Sequence, residues 1–196
     1  MAVAHQKHFS EQAYLELVSR EPVETWELHD GQLVEKPGMS WYHDEVVLEL
    51  SHQLRSQLDR RRYRVRVEGR VRRPGTIFRP DVFVVPTAYG DEFRGRPGVL
   101  AIFSQPLPLV VEIWSRSMGV YGVNAKIPIY QERGDLEIWR IHPYERTLTA
   151  WCRQLDGTYE EHLYREGIVR PLSLPNVAID LGDLFDEDEG GLGDTG

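Results

Sequence analysis

A single α/β (α+β) domain, with a mixed, twisted central sheet flanked by helices, is the fold class that this 196-residue sequence predicts. Three observations carry it. Short runs rich in β-branched and aromatic residues, "DVFVVP" and "LPLVVEIW", alternate with segments whose apolar residues recur at helical spacing. Asp30-Gly31 and Asp156-Gly157 each separate two strand-like segments, the sequence signature of a tight hairpin. With 41% hydrophobic and 28% charged positions, the chain has the composition of one ordinary globular domain with a sizeable core.

Ser10 precedes "EQAYLELVSRE", where Ala13, Tyr14, Leu17 and Val18 form one apolar face, so a short capped helix is expected, ended by Pro22. "TWELHDGQLVEKPG" then reads as an N-terminal hairpin. Ser40 caps a second helix, with Asp44 and Glu45 in its first turns favoured by the dipole and His43, Val47, Leu50, Leu54 and Leu58 facing the core. "YRVRVEGRV" is a strand with Val65 and Val67 on one face and Arg64 and Arg66 on the other. "TIFRPDVFVVP" and "LPLVVEIW" read as strands, the second apolar enough to be central, with a long Gly/Pro-containing loop between them. Asn124 caps a third helix that Gly134 stops near Arg133, and three further strand segments from "DLEIWRIHP" onward form a C-terminal β-meander. The domain is expected over residues 1–182; 183–196, with five acids in its first seven residues and four glycines after them, reads as a flexible tail.

Charge and cysteine content narrow the function. The net charge of −8 argues against a protein that coats nucleic acid along its whole surface. The segment Arg60 to Arg73 is the opposite: Arg60, Arg61, Arg62, Arg64, Arg66, Arg70, Arg72 and Arg73 against one glutamate give a local +7. Screening over ~8 Å lets such a stripe contact phosphates on an otherwise acidic molecule. The single cysteine, Cys152, excludes an intrachain disulfide or a multi-cysteine zinc site and reads as a buried thiol. No apolar run approaches the ~20 residues needed to span a bilayer, and the start lacks signal-peptide order, so no membrane partner and a cytoplasmic location are expected. A GxSxG elbow, an HExxH pair and a GxxxxGK[ST] loop are all absent from the sequence.

Chemistry is expected at two strand carboxylates. Asp81 after Pro80 reads alone as a turn acid, and an outward position on a half-exposed strand is the alternative for Glu112. Glu112, however, is flanked by apolar residues on both sides, and the ends of two neighbouring strands can bring it to Asp81 to share Mg²⁺ or Mn²⁺. Lys126, in a chain with very few lysines, is placed to orient an attacking water and offset charge on a phosphoryl group.

"RPDVFVVP", "LPLVVEIWSRS" and "NAKIPIYQERGDLEIWRIHP", in that order, resemble the PD-(D/E)XK superfamily of restriction-endonuclease-like nucleases. More closely, the chain resembles a bacterial restriction-endonuclease family of unknown function whose lysine has migrated to the following helix, over roughly Thr25 to Trp151. The resemblance implies a restriction-endonuclease-like core and Mg²⁺-dependent endonucleolytic hydrolysis of DNA. It also implies Asp81, Glu112 and the Ile113 carbonyl as metal ligands and Lys126 in place of the usual lysine, where this chain has Trp114. His43 and Glu45 would support a second metal or position substrate, and Glu27 would lie near. Gly122 replaces a family aspartate, His142-Pro143 replaces Asp-Pro, and Ser115-Arg116-Ser117 replaces Ser-Pro-Ser. The rival reading is a nuclease-fold module without turnover that binds nucleic acid or a protein partner. Cutting two strands often needs two sites, which suits a homodimer.

Overall fold

The computed structural model describes residues 8–20, 26–36, 38–67, 69–115 and 123–185. Helix α1, Glu11–Arg20, starts at Ser10, whose Oγ accepts from the Ala13 N–H at 3.1 Å, and buries Tyr14 and Val18. Strands β1 (Trp26–His29) and β2 (Gln32–Glu35) pair antiparallel with His29 opposite Gln32. That register leaves a two-residue turn in which Asp30 and Gly31 have φ of 45° and 82°, the left-handed pair of a type I′ hairpin. Helix α2, Trp41–Gln57, is capped by Ser40 Oγ accepting from the His43 N–H at 3.3 Å. It buries His43, Val46, Val47, Leu50 and Leu54.

The arginine-rich segment is divided between β3 (Tyr63–Val67) and β4 (Arg70–Arg73). "TIFRPDVFVVP", expected as one strand, is two: β5 (Thr76–Phe78) and β6 (Val82–Pro86). The physical reason is Pro80, which has no N–H for a ladder and biases Arg79 away from continuing it in register. The long loop expected next holds a 3-10 turn at Thr87–Phe93 and a short strand, β7 (Ile102–Phe103). Strand β8 (Leu109–Ile113) is wholly buried; α3 is Val123–Arg133, and Gly134 at φ 78° follows it. Asn124 accepts from Arg140 at 2.9 Å through its side chain. Strands β9 (Glu137–His142), β10 (Thr147–Arg153) and β11 (Tyr159–Tyr164) form the expected meander. The chain closes with β12 (Ile168–Val169), β13 (Ile179–Asp180) and α4 (Leu181–Phe185).

These strands form two main sheets. One runs β2-β1-β5-β4-β7 and the other β11-β10-β9-β8-β6-β3, both mixed, with β12 and β13 as a separate pair. In the second sheet β8 is parallel to β9 and antiparallel to β6, which puts it near the middle, as its apolar sequence predicts. Helix α2 packs on one side through Val46, Leu50 and Leu54, in a cluster with Val82, Val84, Val111 and Trp139. Helix α3 covers the other through Ile127 and Tyr130, beside Phe83, Val110 and Ile138. Cys152 is buried in β10, where burial pushes its thiol up to about 12 and leaves it unreactive.

The segment from Asp183 begins inside α4, so three residues counted with the tail are helical, and two of them, Leu184 and Phe185, are buried. Pro22, Arg116, Ser117, Gly122 and residues 186–196 lie outside the described residues. Among the described residues, no helix is long and apolar enough to cross a membrane.

Candidate active site

One place where the chain passes from one sheet to the other, Arg79 to Asp81, is also where buried charge gathers. Val82 pairs with Val111, so continuing the antiparallel register sets Asp81 opposite Glu112 with both side chains on one face. Both are fully buried. Asp81 Oδ2 accepts from the Ile113 N–H at 2.7 Å, and Oδ1 from Lys36 Nζ at 2.7 Å. Lys36 also donates to the Arg79 carbonyl at 3.0 Å. His43 Nε2 lies 3.2 Å from Asp81 Oδ2, and against the effect of burial that carboxylate raises the imidazole's pKa.

Glu112 meets the second half of the cluster. Its Oε1 accepts from the Tyr130 hydroxyl at 2.5 Å, and Lys126 Nζ sits 3.3 Å from the same oxygen. Lys126 donates to Glu27 Oε1 at 2.8 Å and lies 5.4 Å from the centre of the Phe78 ring. Glu27 Oε1 also accepts from the Arg79 N–H at 2.7 Å, and its Oε2 contacts His29 Nε2 at 2.9 Å. Three carboxyl groups and two ammonium groups are therefore interleaved out of water, each ammonium beside a carboxylate, which is the condition for keeping charge there.

The balance is uneven. Burial raises Glu27, but Lys126, His29 and the Arg79 N–H outweigh it and hold the carboxyl at about 2. Burial likewise opposes ionisation of Asp81, and Lys36 and His43 overcome it, so Asp81 stays well below its ordinary value. Glu112 goes the other way: burial, with the Asp81 and Glu27 charges, outweighs Lys126 and Lys36 and pushes it up to about 7. Lys126 is raised despite burial by Glu112 and Glu27, and Lys36 by Asp81. Two ammoniums neutralise two carboxylates, and Glu112 is the acid left over.

Residues 11–182 match the family model described as "Uma2: Putative restriction endonuclease". The chain belongs to the Uma2 family. Among solved structures, the Uma2 chain resembles one titled as a putative nuclease belonging to DUF820 from Anabaena variabilis ATCC 29413. The TM-score is 0.74 at 23% identity over 90% of this chain and 97% of that one, a likeness of fold. A comparison with curated proteins gives no match.

Of the residues expected at the Uma2 site, Asp81, Glu112, Lys126 and His43 converge, and Glu27 stands at the centre of the cluster. Glu45 does not join them. It is exposed, because two residues along a helix turn it by about 200° from His43. Trp114 stacks on the His142 ring at 4.3 Å, and Ile113 meets Asp81 through its N–H. The arginines are spread. Arg64 and Arg66 are exposed on the edge strand β3, while Arg60 to Arg62 lie at the Pro86 end of β6, away from Asp81. Arg70, Arg72 and Arg73 are in the other sheet, held by Tyr14, Ser104, Glu11, Asp30 and Glu132.

Sequence reasoning missed Lys36 and Tyr130. The signal for Lys36 was available: the chain has three lysines, Lys7, Lys36 and Lys126, against twenty arginines, and two of the three are buried in this one cluster.

Proposed function

We propose that this chain is a divalent-metal-dependent nuclease that hydrolyses DNA phosphodiester bonds. One observation carries the reading: the register of adjacent strands sets the buried carboxyl groups of Asp81 and Glu112 opposite each other, with the Lys126 ammonium 3.3 Å from Glu112. The donor chemistry fits a hard divalent ion. Among the described residues no group of three or more His, Cys, Asp or Glu is arranged to hold a metal, so the two carboxylates would be completed by backbone oxygen and water. Lys36, seated on Asp81 Oδ1, stands where positive charge is favoured, and His43 Nε2, 3.2 Å from Oδ2, faces the same carboxylate.

Asp81 and Glu112 would hold Mg²⁺ or Mn²⁺, which when bound supplies an activated water and charge for the phosphoryl oxygens. Lys126, fixed between Glu27 and Glu112, orients the water and offsets negative charge growing in the transition state. Glu27 keeps that ammonium charged and aimed. Arg64 and Arg66, with Arg60 beside the cleft that Arg55, Tyr63 and Arg64 line, supply backbone contacts. The cytoplasm is the compartment this activity implies, and a homodimer would let two sites cut two strands.

The test is cleavage of DNA by the purified full chain in Mg²⁺ or Mn²⁺. The expected result is metal-dependent cleavage that Glu112→Gln lowers on the order of 100-fold or more without loss of the fold. Salt-sensitive DNA binding with no cleavage in either protein would replace this reading with a nuclease-fold binding module. The engagement of both Asp81 oxygens is the observation that favours that second reading.

A further inference from the structure

Lys36 is an unusual occupant of its position. Its ammonium is bound by two oxygens of different origin, the Asp81 carboxylate at 2.7 Å and the Arg79 carbonyl at 3.0 Å, and its side chain is 2% exposed. A carboxylate oxygen and a backbone carbonyl converging on one buried point are the ligand types a hard divalent cation takes. The nitrogen sits at the point they share.

Lys36 and Lys126 are carried by different parts of the fold. Lys36 directly follows β2, the edge strand of its sheet, whose residues are only partly buried and whose last residue, Glu35, is exposed. Four methylenes separate its ammonium from that backbone at the edge of the sheet. Lys126 is carried by α3 and is gripped by Glu27 and Glu112 together.

We propose that Lys36 is a tethered counter-cation that occupies the metal position on Asp81 and the Arg79 carbonyl, and that a divalent ion enters by displacing it. This rests on the reading of Asp81 as a metal ligand. In the metal-free protein the lysine keeps Asp81 ionised and paired, so the fold does not depend on metal; the same contact lowers metal affinity, because each ion that binds competes with an attached ammonium.

The experiment is Mn²⁺ titration of the full chain, followed by the electron paramagnetic resonance signal of free Mn²⁺, for wild type, Lys36→Met, Lys36→Arg and Asp81→Asn. The expected result is at least tenfold tighter binding by Lys36→Met, near wild-type affinity for Lys36→Arg, and loss of binding in Asp81→Asn. Equal or weaker binding by Lys36→Met overturns the role of Lys36 and leaves Asp81 as a ligand. Absence of Mn²⁺ binding from wild type and Lys36→Met alike overturns the ligand reading and this inference with it.

A second measurement needs no substitution, should Lys36→Met fold poorly. Wild-type protein labelled with ¹³C at the lysine Cε has three lysines to observe. Saturating Mg²⁺ is expected to move the Lys36 signal toward that of a solvent lysine while Lys7 stays put. A Lys36 signal unchanged at saturation overturns the proposal.

Discussion

Glu112 and Glu27 share Lys126, yet their protons are held in opposite ways, and this gives the metal-free protein a defined response to pH. Glu112, held at about 7, keeps a proton in the fold that it would release near 4.5 when unfolded. Between those values the native state binds more protons, so stability falls as pH rises. Glu27, at about 2, contributes stability that is present above 4.5 and lost as pH falls toward 2. Melting curves in chelator are therefore expected to peak near pH 5 and decline toward pH 7, with Glu112→Gln flattening the neutral limb. A neutral limb that keeps its slope in Glu112→Gln would rule out Glu112 as its source. The two lysines show how far single residues could be read. Lys126 stood out because it lay in a helical segment at a spacing already linked to two acids. Lys36 falls just after a hairpin, where periodicity says nothing about direction; the scarcity of lysine marks it, and its partner forty-five residues away explains it.

The hairpin β1–β2 delivers Glu27 from one strand and Lys36 from just beyond the other, so its turn controls half the cluster. Gly31 sits at φ 82°, and a Cβ there would also come within 2.5 Å of the His8 ring. Gly31→Ala is expected to cost about 1–2 kcal/mol in chemical denaturation, combining left-handed strain with displacement of His8. A loss under ~0.3 kcal/mol would mean that the turn relaxes freely. This element was legible because Asp-Gly between alternating segments specifies both turn type and register. Helix α2 was legible by its cap and spacing. The division of β5 from β6 was not, since apolar residues on both sides of Arg79-Pro80-Asp81 suggest one continuous strand; Pro80 carried the contrary signal.

At the scale of the whole molecule, the arginine stripe seen in sequence is split by topology. Arg64 and Arg66 project from an edge strand, whereas Arg70, Arg72 and Arg73 are committed to partners in the other sheet. If the former contact phosphate, Arg64→Ala and Arg66→Ala should each reduce the slope of log affinity for DNA against log salt by about 1, with Arg72→Ala nearer to neutral. Equal effects from all three would instead mean diffuse attraction by net local charge. Linear sequence displays such a cluster as one stripe because it does not reveal where the chain changes sheets. Composition and β-branched runs did reveal that the fold mixes helices with sheets, since those signals do not depend on partner choice.

The crossing at Arg79 to Asp81 has one more consequence. Glu27 and Lys36 come from one sheet's hairpin, Asp81 and Glu112 from the other sheet's strands, and the ion pairs between them act as rivets through a structural joint. Loosening the joint would pull the reactive groups apart at the same moment, so thermal inactivation and parting of the two sheets should run as a single event.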